Sequence, residues 1–202
     1  VVVVGHGVPR VVVDQLREAA PALEAEIGDA LALESCAPIH VDVLPAIEGA
    51  STLEPPWSLP DWAAGAADPG ERRIVVAVTA KGERQDRERI LLHELAHVGV
   101  REAGGARVPR WLDEGTARFL AHEADDPDVL ARARVGDRLL PLAALDKTFP
   151  SDGTSANVAY AESARAASII AAKPGGLGAV LHAIREVPRY AEFPDPVPAE
   201  GE

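Results

Sequence analysis

One stretch near the middle of the chain restricts the fold more than any other: Ile90-Leu91-Leu92-His93-Glu94-Leu95-Ala96-His97-Val98. Leu91, Leu92, Leu95 and Val98 fall on more than one side of a helix, so this helix is expected to be buried. His93 and His97 are four residues apart and therefore stack on one helical face, one turn from each other. Two imidazoles and the Glu94 carboxylate inside such a helix need partners, because an unpaired buried charge is costly. A metal ion is one partner that meets the need of all three.

Histidines at this spacing can hold one tetrahedral Zn²⁺ at ~2.0–2.1 Å. Glu94 follows the first of them by one residue and turns off their shared face, so it can reach a water on the metal without being a ligand. Zinc lowers the pKa of such a water to ~7, and the carboxylate takes its proton. A catalytic zinc needs a third protein ligand and an open position. The metzincin extension of this motif requires Gly at position 100 and His at position 103, where this chain has Val100 and Ala103. The next candidate lies in Trp111-Leu112-Asp113-Glu114-Gly115-Thr116-Ala117. Glu114 falls on a second helix, after a turn marked by Gly104-Gly105 and Pro109. Ala117 and Ala121 lie on roughly its side, small enough to let the two helices approach closely. Asp113, next to it, is a rival ligand.

Around these motifs the chain reads as strands first and helices after. Val1 to Val4 and the alternating Ile39-His40-Val41-Asp42-Val43-Leu44 are expected strands, and Ile74-Val75-Val76-Ala77-Val78 is the strongest. Between the first two, Leu16, Leu23, Ile27 and Leu31 recur at helical spacing over about Pro9 to Leu33; Pro21 either kinks this helix or starts a second one. Residues 45 to 70, rich in Pro and Gly, form a long connection, of a kind that is often functional. Helices are expected from about Asp86 to Val100, from Trp111 to about Glu123, and near 127–135, 156–172 and 175–187, with Asp125 to Asp128 a turn. The tail from Pro188 is Pro-rich and acidic. This is an α+β arrangement in one domain over 1–187, with a mixed N-terminal sheet, an active-site helix and a helical C-terminal part, followed by a loose tail over 188–202.

His93-Glu94-Leu95-Ala96-His97, followed by Trp111-Leu112-Asp113-Glu114-Gly115-Thr116-Ala117, resembles the peptidase MA-like gluzincins, distant relatives of thermolysin. Their pattern is H-E-[LF]-x-H, a short connection, then W-[LF]-x-E-G-x-A. The resemblance is specific over residues 87–121. It extends more weakly to Pro60-Asp61-Trp62-Ala63-Ala64-Gly65-Ala66 and Tyr160-Ala161-Glu162-Ser163, and spans roughly residues 40–185. It implies a zincin-like fold, Zn²⁺ as cofactor with His93, His97 and Glu114 as ligands, and Glu94 as general base. It implies a peptide or protein as substrate, and favours Glu114 over Asp113, which would be the ligand of an aspzincin. In the zincin layout the strand beside the metal is an edge strand that pairs with extended substrate, and residues 74–78 are the expected strand there. Thermolysin-like enzymes place an Asp four residues after the ligand Glu to orient a ligand His; Arg118 stands there instead, so the support of the histidines must differ.

Hydrolysis also needs a donor for the oxyanion that forms. Tyr160 and His182 are the candidates, and Tyr160 fits the family pattern better. His122 is read as a surface residue, His6 and His40 have no ligand spacing, and Cys36 is read as a small core residue. Aminopeptidase relatives hold the substrate amine with a Glu before the zinc helix; the comparable Gly65-Ala66-Ala67-Asp68-Pro69 has none. The expected activity is therefore endopeptidase cleavage of peptide amide bonds. A zincin-fold binding or maturation module with little catalysis is the rival reading, against which Glu94 speaks, since a structural site has no need of that carboxylate. The formal charge of −12 argues against nucleic acid as a partner, and no apolar run approaches the ~20 residues of a membrane helix. A lone cysteine excludes an internal disulfide. With no Met in the chain, the native start is expected upstream of Val1, where a signal peptide or lipoprotein anchor could have been trimmed away; the compartment stays open, with an extracytoplasmic one slightly favoured over the cytoplasm.

Overall fold

The computed structural model describes residues 1–34, 37–59, 63–78, 83–123, 127–136, 139–146, 149–150 and 153–187. The expectations for Cys36, for Pro60 to Trp62, for the turn at Asp125 and for the tail from Pro188 onward lie outside the described residues. The architecture is α+β. Strands β1 (Val2–Gly5), β2 (His40–Leu44), β3 (Gly65–Asp68) and β4 (Arg73–Ala77) form one sheet, and helices α1 (Arg10–Leu31), α2 (Arg84–Gly104), α3 (Arg110–Leu120), α4 (Pro127–Val135), α5 (Gly153–Ala171) and α6 (Gly176–Glu186) supply the rest. Among the described residues no single helix is long and apolar enough to cross a membrane.

The sheet order is β1-β2-β4-β3. β1, β2 and β4 run parallel, with Val3 opposite Val41 and Val41 opposite Ile74, and β3 pairs antiparallel to β4. Ile74, Val75 and Val76 are all buried because β4 lies inside the sheet with cover on both faces. This corrects the expectation that residues 74–78 form the edge strand beside the metal. The edge is β3, within the stretch that read as a connection. Its Gly-Ala-Ala-Asp sequence carries none of the β-branched or aromatic residues that mark a strand, and pairing to β4 holds it extended.

One face of the sheet packs on α1 and α2, whose side chains join those of Val3, Val41, Val43, Ile74 and Val76 in the main core. Pro21 does not break α1; it sits on the exposed side of a continuous helix. A smaller core of Leu44, Ile47, Ala50, Leu53 and Val75, with Trp57 against it, covers the other face. α2 is longer than its periodicity suggests at both ends. Its last turn, with Ala103 and Gly104, is buried and packs against α6, so tertiary contact carries the helix past Val100.

Candidate metal centre

α2 runs beneath the edge strand, and its shared histidine face looks into a cavity of about 790 Å³ between β3 and the α3–α5 pair. Leu91, Leu92, Leu95, Ala96 and Val98 hold the other sides of the helix in the core, which fixes where His93 and His97 point. Their Nε2 atoms converge to 3.2 Å. Two ligands of a tetrahedral zinc at ~2.0–2.1 Å stand about 3.3 Å apart, so the two imidazoles already have the spacing that one ion requires. Glu114, on α3, brings Oε2 to 4.0 Å from His97 Nε2. Among the described residues these three form a group able to hold a metal ion, with one donor atom from each and all three atoms within 4.8 Å of one another.

The far side of each ring is fixed as well. His97 Nδ1 lies 2.8 Å from Asp113 Oδ1, and His93 Nδ1 lies 2.6 Å from Glu123 Oε1. A neutral ring that donates its Nδ1 proton to a carboxylate keeps the Nε2 lone pair for the metal face. Asp113, the rival ligand, therefore stands behind His97 and outside the group able to hold a metal. Burial disfavours the charged form of His97, but the Asp113 carboxylate more than offsets this by charge and hydrogen bond, and holds the ring up to about 10. Burial also pushes Glu123 up, and its hydrogen bond to His93, the charge of that ring and the Arg118 guanidinium reverse this and leave it below the usual carboxylate range.

Glu123 is the site residue that sequence reasoning missed. Expecting a carboxylate one turn after Glu114 on the same helix finds only Arg118. The chain instead ends α3 in a Schellman turn, with Glu123 N–H donating to the Arg118 carbonyl at 3.1 Å and His122 N–H to the Phe119 carbonyl at 3.2 Å. His122 takes the left-handed conformation, φ 51°, that this turn demands. The reversal returns Glu123 to the cavity, while the His122 side chain is exposed and pairs with Glu26 at 3.1 Å. The only hint in the sequence is an acidic residue just past the helix end.

Glu94 shares α2 with the histidines but is not part of the metal group. It is 7% exposed and lines the cavity under β3. A methyl group on Gly65 would lie 2.8 Å from Glu94 Oε1 and 3.0 Å from the Val75 carbonyl oxygen, so the strand can cover the carboxylate only because that residue is glycine. Burial pushes the Glu94 carboxyl up, against the pull of His97 and His93. Gly115 has the matching role on α3. A side chain there would strike the Ser163 backbone, so the glycine after Glu114 lets α5 close the wall.

That closure brings Tyr160 to the cavity. Its ring packs on Phe149 at 4.8 Å, and the Arg118 guanidinium lies 5.3 Å from its centroid. Burial and the nearby Glu114 push its hydroxyl up, which keeps it a proton donor at neutral pH. His182 does not reach the cavity; it lies on α6, a helix packed against α1 and α2. His6 pairs with Asp42 at 2.8 Å, and His40 is exposed. Comparison of the chain with protein-family models, with curated proteins and with solved structures finds no match.

Proposed function

We propose that the chain is a zinc-dependent hydrolase of peptide amide bonds, an endopeptidase of the gluzincin type on a zincin-like fold. The observation that carries this reading is the division of labour on α2. Two imidazole nitrogens converge at 3.2 Å with a carboxylate behind each ring and Glu114 completing the group, while a fourth carboxylate, Glu94, is buried beside them with neither role. A purely structural site needs the first arrangement and has no use for the second. His93, His97 and Glu114 would hold the zinc. Three protein ligands, two of them imidazoles, suit zinc and leave a position open for chemistry. When bound, the ion supplies Lewis-acid polarisation of a carbonyl and lowers the pKa of water to ~7.

The remaining work falls to side chains. Glu94, desolvated and therefore a stronger base than an exposed glutamate, takes a proton from the attacking water at its carboxylate and delivers it to the leaving amine. Tyr160 donates its hydroxyl hydrogen to the developing oxyanion. Backbone groups along β3 align an extended peptide over the metal group, and the absence of an acidic side chain on Gly65, Ala66 and Ala67 leaves no anchor for a substrate amine. The test is zinc content and cleavage of fluorescein-labelled casein and a broad peptide library. One zinc per chain with turnover is expected, and Glu94→Gln should keep the zinc and lose ~10²–10⁴-fold in rate. A zinc-loaded chain that cleaves nothing in the library, or a Glu94→Gln variant with wild-type turnover, rules the mechanism out.

A further inference from the structure

Arg118 lies one turn after Glu114 on α3 and lines the same cavity. It touches Glu123 twice. Its carbonyl accepts the Glu123 N–H at 3.1 Å, and its Nη1 lies 3.0 Å from Glu123 Oε2. The other oxygen of that carboxylate, Oε1, is the one 2.6 Å from His93 Nδ1. The guanidinium lies in turn 5.3 Å from the centroid of the Tyr160 ring, which is packed on Phe149. A line of contacts therefore runs from the aromatic pair through Arg118 and Glu123 to one of the two histidines.

The two histidines are supported unequally, which gives this line its purpose. Asp113 has a short side chain rooted in the first turn of α3, and reaches His97 with little freedom to lose. Glu123 sits beyond the helix end on a longer, more flexible side chain. Left alone, it could offer either oxygen to His93 or turn to solvent. An arginine that engages Oε2 from the side leaves Oε1 for the imidazole, and its planar, many-donor head can make the ion pair and lie on an aromatic ring at once, which a lysine ammonium cannot.

We propose that Arg118 is a positioning residue of the metal centre. It orients His93 through Glu123 and is itself held by the ring face of Tyr160, so that Tyr160 supports metal binding with its ring, apart from anything its hydroxyl does. The proposal rests on the zinc reading above for the ion, and on contacts within this chain for the relay.

Zn²⁺ dissociation constants of the full chain, measured by competition with a chromophoric chelator, test it without any substrate. Arg118→Gln and Glu123→Gln should each weaken zinc by ~10–100-fold, the usual cost of losing the partner behind a ligand. The double variant should be no weaker than the weaker single, because both cut one line of contacts. Asp113→Asn, on the other histidine, should combine multiplicatively with Arg118→Gln. Arg118→Lys should recover part of the loss. Tyr160→Phe should bind zinc as wild type does, whereas Tyr160→Leu should bind it about 2–5-fold more weakly, the scale of a cation–π contact.

An Arg118→Gln protein within twofold of wild type overturns the proposal, as does full multiplication of its effect with that of Glu123→Gln. Circular dichroism of each chelator-treated variant shows whether it has folded. If Arg118→Gln has not, Glu123→Gln and Tyr160→Leu decide, and an unchanged zinc affinity in either overturns the relay. A wild-type chain that binds no zinc removes the metallohydrolase reading and the relay together. A wild-type chain that binds zinc while Arg118→Gln is unaffected removes the relay alone.

Discussion

The floor and the roof of the cavity are built from opposite materials. The floor, on α2 and α3, gathers His93, Glu94, His97, Asp113 and Glu114 within one small volume, and Glu123 joins them from the turn after α3. The roof, on β3, offers Gly65, Ala66 and Ala67, and its contribution is a backbone edge close enough to bury Glu94. Chemistry in the floor depends on which side chains are present. In the roof it depends on which are absent. Substitutions should divide accordingly: floor changes should act on metal binding and proton transfer, roof changes on reaction rate alone.

Loss of a floor ligand should have the largest effect. His93→Ala removes one of the two nitrogens that meet at 3.2 Å, and zinc should fall from near one per chain to near zero after dialysis. Because an ion bound only by the native state adds RT ln(1 + [L]/Kd) to folding, wild type at a hundredfold excess over Kd should gain about 2.7 kcal/mol of stability from zinc. His93→Ala should gain none. Thermal unfolding with and without zinc measures both. Retention of stoichiometric zinc in this variant would end the gluzincin reading.

Tyr160→Phe, on the α5 wall, and Gly65→Ala, on the roof, come next. Removing the Tyr160 hydroxyl should leave zinc bound and lower kcat by up to ~10²–10³-fold, as for other lost oxyanion donors. Adding a methyl at Gly65 crowds Glu94 Oε1 from 2.8 Å, so carboxylate or strand must shift. A misplacement of about 1 Å can cost on the order of 10²-fold in rate. Zinc affinity should not change, since Glu94 is outside the metal group. A Gly65→Ala protein with normal turnover, or with weakened zinc, breaks the distinction between floor and roof.

The same distinction explains what could be read from the sequence. His93, Glu94 and His97 lie within five consecutive residues of one helix, so their relation follows from helical geometry alone. Glu114 needed the second helix as well, and the family pattern pointed to it. Glu123 depended on a turn whose left-handed residue is His122, where glycine or asparagine would have been the usual signal. β3 was invisible because a strand of Gly, Ala, Ala and Asp has no period-2 pattern, and that hid the fact that β4 is an interior strand. Side-chain chemistry within one element is legible, whereas backbone placed by tertiary pairing is not.

The smallest effect concerns protons, and it too belongs to the floor. In protein stripped of metal, Asp113 holds His97 up to about 10, so the ring carries its proton at neutral pH. Zinc requires the neutral imidazole, and binding must expel that proton. Zinc affinity should therefore rise by about tenfold per pH unit at pH values below the folded one. For the stripped protein the sign is opposite. A group raised on folding contributes stability that is fully present below ~6.5 and is lost as pH climbs through the folded value, so its Tm should decline from pH 7 toward pH 10. The zinc-loaded protein, in which this ring no longer titrates, should lack that share of the decline. Calorimetric zinc titrations at pH 7.5, repeated in buffers of different ionisation enthalpy, count the protons. One released per zinc is expected for wild type, and fewer for Asp113→Asn, whose ring has lost the carboxylate that keeps it charged. Zero release from wild type would mean that His97 is already neutral, and that Asp113 orients the ring without charging it.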